Sequence, residues 1–80
     1  MEYIINSTTQ ENEVIITNVT MTLDSGSIIT IDIPHFLPKS FEEINQNIIN
    51  RSITEQIKLD ALNNLSNLML QIPLNQIITT

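Results

Sequence analysis

His35 is the only side chain here whose ordinary pKa lies near neutrality, so proton transfer at physiological pH would have to begin there. A serine nucleophile needs a base, and His35 is the sole ordinary choice. Its nearest serine, Ser40, is better placed to cap a helix, and no Gly-x-Ser-x-Gly elbow occurs. A single glycine, Gly26, excludes a glycine-rich phosphate loop. No cysteine is present, which removes disulfides, thiolate zinc sites and thiol nucleophiles. One histidine builds no histidine-rich metal site either. Asp24 and Asp32 could touch a divalent cation, but no ligand spacing supports them. A carboxylate pair for glycoside chemistry needs a cleft that so short a chain scarcely offers. The expectation is a protein that is not an enzyme and uses no cofactor.

Unusual residues gather between His35 and Arg51. That stretch holds the one histidine, both phenylalanines and two of the three basic residues. In an acidic chain, a local cationic and aromatic cluster suits an anionic or planar ligand. Arg51 could grip a phosphate or carboxylate through two parallel hydrogen bonds. His35 and Phe36 would supply a donor and a stacking face, and Lys39 a second charge. The ligand-site expectation is therefore His35, Phe36, Lys39 and Arg51, around a nucleotide-like anion. The competing reading makes Phe36 and Phe41 core plugs, His35 a loop residue and Arg51 a partner of Glu55 four residues on.

The elements that must position these residues read as an α+β fold in one domain, residues 1–80. Strands occupy 1–33, helix 40–72 and a tail 73–80. Tyr3–Asn6 is a short β-prone run and Ser7–Asn12 a polar loop. In the next strand Val19, Met21 and Leu23 share one face, with Thr20, Thr22 and Asp24 on the other. Asp24-Ser25-Gly26-Ser27 makes the turn, and Ile29, Ile31 and Ile33 return on one face with Thr30 and Asp32 opposite. The fold expectation is thus an antiparallel hairpin sheet of two to three strands followed by one long helix or two consecutive ones. Pro34 and Pro38 bracket a loop that ends the last strand. Ser40-Phe41-Glu42-Glu43 fits a capping box. Ser52-Ile53-Thr54-Glu55 is a second, so a bend near Asn50-Arg51 is favoured over one uninterrupted helix. Pro73 ends the helical region at or before Ile72.

Composition sets the class of function. The 80 residues are 41% hydrophobic but only 15% charged, where ordinary domains carry roughly 25%. So much aliphatic side chain exceeds what a small interior shelters, and a homo-oligomer or partner interface is expected to cover it. Leu62, Leu65, Met69 and Ile72 carry a/d spacing over little more than one heptad. The net charge of −6 argues against nucleic acid and against anionic membranes. The start lacks a basic signal-like region, and no apolar run approaches a membrane span, which points to a cytoplasmic location.

Three functions fit these bounds. One is a non-enzymatic inhibitor or regulator that occupies a protein partner's surface, in the manner of small accessory (counter-defence type) proteins of phages and mobile elements. The second is an oligomer sequestering a nucleotide-like anion between subunits. The third is a structural subunit of a larger particle. An exposed hairpin edge adds a route to partner capture through main-chain bonds.

Overall fold

The computed structural model describes residues 1–80. Three strands, β1 (Glu2–Glu11), β2 (Val14–Thr22) and β3 (Ile28–Phe36), form an antiparallel meander in the order β1-β2-β3. Two helices follow, α1 (Phe41–Asn63) and α2 (Leu65–Gln71). The α+β class and the antiparallel hairpin stand as the alternation required.

The register explains the layers. Met21 pairs with Ile29, Val19 with Ile31 and Thr17 with Ile33, so the apolar residues of β2 and β3 meet on one face. Tyr3 and Ile5 extend that face across β1, and α1 lies on it. The core is Val19, Met21, Leu23, Ile33 and Ile48, with Ile44 and Leu59 packed against it from the helix. The opposite face carries no covering layer and is held by a polar ladder. The Asn6 amide donates to Asn18 Oδ1 and Thr20 Oγ1, each at 2.9 Å; Asn18 donates to Asp32 Oδ1 at 2.9 Å. Thr20 and Thr30 hydroxyls pair at 2.8 Å.

Three boundaries differ from expectation. The polar stretch Ser7–Glu11 continues β1 rather than looping, paired with Val14–Asn18 after a bulge between Ile5 and Ser7. Asn12 turns the chain at φ 55°, where its short polar side chain is tolerated. β3 does not stop at Pro34 but runs to Phe36. Pro34 is tolerated because β3 is an edge strand, and a missing N–H on its outward side breaks no ladder bond.

The third difference is in the helix. No bend occurs at Asn50-Arg51; α1 continues to Asn63. Ser52 caps nothing. It is buried within the helix, and its hydroxyl donates to the Ile49 carbonyl at 2.6 Å. The discontinuity falls instead at Asn64, where the amide bonds the Ala61 carbonyl three residues back at 3.2 Å and the Asn64 carbonyl then receives Leu68 N–H at 3.0 Å. At the other end Ser40 is the N-cap as read, accepting from Glu43 N–H at 3.3 Å. The Glu43 carboxylate takes the Lys39 amide at 2.9 Å rather than that of Ser40, a shifted variant of the box.

Helix and sheet overlap only in part. The Ser25 amide donates to Gln56 Oε1 at 3.0 Å, so α1 passes the β2–β3 turn at Gln56 and leaves the sheet after Leu59. From Asp60 onward every residue is exposed. The molecule extends 54 × 28 × 17 Å with a radius of gyration of 18.0 Å, against about 12 Å for a compact chain of this length. No helix is long and apolar enough to cross a membrane.

Candidate functional site

His35 follows Ile29, Ile31 and Ile33 on the alternation of β3 and therefore enters the core, 1% exposed. Burying an imidazole requires partners for both ring nitrogens. The Asn47 amide nitrogen of α1 donates to Nδ1 at 3.0 Å. That bond fixes the proton on Nε2, which donates to Thr17 Oγ1 of β2 at 2.9 Å. The Thr17 hydroxyl is left to donate toward the Ile33 carbonyl at 3.5 Å. No buried side-chain polar atom of the molecule lacks a partner. Burial lowers the His35 pKa from 6.5, opposed by the smaller effect of the Glu43 carboxylate, and so favours the neutral ring. The arrangement joins β2, β3 and α1, and Tyr3 adds β1 by donating its hydroxyl to Asn45 Oδ1. The buried histidine thus docks the helix on the sheet and offers no atom to a ligand.

The other three residues of the expected ligand site lie elsewhere. Phe36 alternates to the outer face and is 68% exposed. Lys39 is exposed in the turn before α1, its amide held by Glu43. Arg51 sits on α1, where Nε donates to Glu55 Oε1 at 2.9 Å, the i,i+4 pair allowed for in the sequence. Arg51 also borders a shallow depression with Ile33, Pro34, Asn47, Asn50 and Thr54. His35 and Phe36 project from opposite faces of one strand, so the four side chains do not converge. No three histidine, aspartate or glutamate side chains converge to hold a metal.

What the molecule presents instead is apolar surface, most of it in two places. One is the β3–α1 turn. There Phe36, Leu37 and Phe41 are all more than half exposed, and Phe41 plugs no core. Leu37 adopts φ 42°, an uncommon conformation for a branched side chain, and is held there by its amide donating to the Glu13 carbonyl at 2.8 Å. The sequence gives no sign of this strain, because neither Gly nor Asn marks the position. The second place is the C-terminal arm beyond Asp60, whose leucines and isoleucines are at least half exposed almost throughout. Among the residues missed in the sequence, Thr17 and Asn47 are the partners of His35. One further step of the 29, 31, 33 alternation would have placed His35 inside and required them.

Comparison with known proteins adds no constraint: no family model matches the chain, and neither a curated protein nor a solved structure shows significant similarity to it.

Proposed function

We propose that this is a non-enzymatic binding protein that inhibits or regulates a protein partner by occupying its surface. One observation carries the reading. Seventeen large apolar residues are exposed while only five apolar residues are fully buried, the reverse of a domain built for its own interior. The accessible surface is 6317 Å², against about 4,900 Å² for a compact monomer of this mass. The β3–α1 turn is the part suited to a foreign protein. It offers two aromatic anchors and a leucine that the backbone holds outward at some strain, and such residues dominate binding energy when buried in a partner's pockets.

The test places a photoreactive residue at position 36, 37 or 41 of the full chain in producing cells. The reading expects one discrete adduct with another protein, lost in Phe41→Asp, and a purified complex of defined stoichiometry. Irradiation that yields no heterologous adduct at any of the three positions sinks it.

A second reading, an anion-binding oligomer, has in its favour that Arg51 lines a depression and bonds Glu55 through Nε alone, a guanidinium otherwise suited to phosphate. A thermal-shift screen with phosphate and nucleotides, repeated on Arg51→Ala, decides it: no shift in the wild type removes the idea.

A further inference from the structure

We infer that the C-terminal arm is a self-association surface, with the stripe Leu62, Leu65, Met69 and Ile72 occupied by the same stripe of a second copy. The inference goes beyond the partner reading and leaves the β3–α1 turn free.

Charge selects the occupant. All twelve charged residues lie at or before Asp60, so the head carries the whole net charge of −6 and residues 61–80 carry none. An anionic membrane would be met by basic residues, and the last of these is Lys58. A charged foreign helix would be selected by charges flanking the stripe, and Asn63, Ser66, Asn67 and Gln71 stand there instead. A neutral stripe meets its own copy without like-charge repulsion, which a two-fold interface demands because each residue faces its symmetry mates.

Geometry agrees. The helix line that packs on the sheet through Ile48, Ser52 and Leu59 continues to Leu62, and α2 follows after the discontinuity at Asn64. A largely apolar hollow marks the exit, lined by Leu23, Ile29, Leu59 and Leu62 together with Glu55 and Lys58. Within α2, Leu65 and Met69 lie one turn apart on one side, with Leu62 in the last turn of α1 and Ile72 at the C-cap of α2. The stripe residues are 54%, 49%, 73% and 52% exposed and supply roughly half of the about 800 Å² that a stable interface takes from each partner, the rest falling to neighbouring arm residues.

The full chain is examined by sedimentation equilibrium and by backbone NMR. Wild type is expected at twice its 9.1 kDa mass. Leu65→Asp combined with Met69→Asp gives monomer with the head resonances, including His35, unmoved. Leu70→Asp, which adds the same charge on the opposite side of α2, stays dimeric. In this cysteine-free chain, Leu65→Cys forms an inter-chain disulfide on oxidation faster than Leu70→Cys. Monomeric wild type at every concentration, or a dimer that survives the double substitution, overturns the inference. Neither outcome touches photo-crosslinking at Phe36, so the two proposals fail separately.

Discussion

Replacing Thr17 by valine isolates the polar bond inside the core. The two side chains are close in shape, but valine cannot accept a hydrogen bond. His35 Nε2–H, 2.9 Å from the threonine oxygen, would then be buried with no acceptor. Stranding a buried donor costs roughly 1–3 kcal/mol. A chain of this size has a total stability of only about 3–5 kcal/mol, so the substitution should remove a large part of it. Urea unfolding above pH 7, at fixed protein concentration, measures the loss. The partner substitution His35→Phe removes the donor as well. The double variant should therefore be more stable than the sum of the two single losses implies, with a coupling of about 1 kcal/mol or more. The wild type should also lose stability as pH falls below 6.5, because the unfolded histidine binds a proton there while the folded one, with its pKa lowered by burial, does not. The loss should level off once pH drops below the folded pKa. His35→Phe should show no such step in that window. Additive Thr17 and His35 losses, or an unchanged slope below pH 6.5 in His35→Phe, would refute the docking role of the histidine.

Three further substitutions probe the frame. Ser40→Ala removes the acceptor for Glu43 N–H and should cost about 1 kcal/mol, seen as a lower urea midpoint with an unchanged slope. Ile48→Ala deletes a side chain with no exposed surface and should cost roughly 2–5 kcal/mol, whereas Ile53→Ala on the exposed side of α1, 54% exposed, should cost under about 1 kcal/mol; calorimetry of the pair gives the contrast. Leu37→Gly relieves the positive φ and should leave folding stability within about 1 kcal/mol of wild type while weakening partner binding at the turn, a separation read by thermal melting alongside crosslinking yield.

The parts of the fold that were legible in the sequence are those where one face is buried and the other wet. The β2–β3 hairpin has that contrast at every step from Val19 to Leu23 and from Ile29 to Ile33, and Gly26 at φ 90° closes it. The second half of β1 has no such contrast. Neither face of Ser7–Glu11 is covered, so alternation had nothing to record, and only its β-branched threonines hinted at a strand. Pro34 suggested a strand end because edge position is a tertiary fact that a proline does not announce. Ser52-Ile53-Thr54-Glu55 spelled a capping box, yet Ser52 answers to the Ile49 carbonyl and Glu55 to Arg51, so both capping groups were already engaged within a continuing helix. The ligand-site expectation joined residues by proximity in sequence. Strand alternation separates His35 from Phe36, and that rule was available from the residues themselves.

The distribution of polar and apolar groups bears on how such a chain stays folded. Three of its eight buried residues are Thr17, His35 and Ser52, each held by specific hydrogen bonds, while most of its leucine lies outside. Hydrogen bonds inside a small core contribute little net stability but tolerate few alternative packings, so they define where α1 sits more than how strongly it holds. The larger apolar free energy remains in the arm, where one copy alone cannot realise it. Association would then supply stability that the isolated head lacks, because any ligand bound only by the folded state shifts folding in its favour. Surface that looks like an unfinished core would then be the part of the core that a second chain completes.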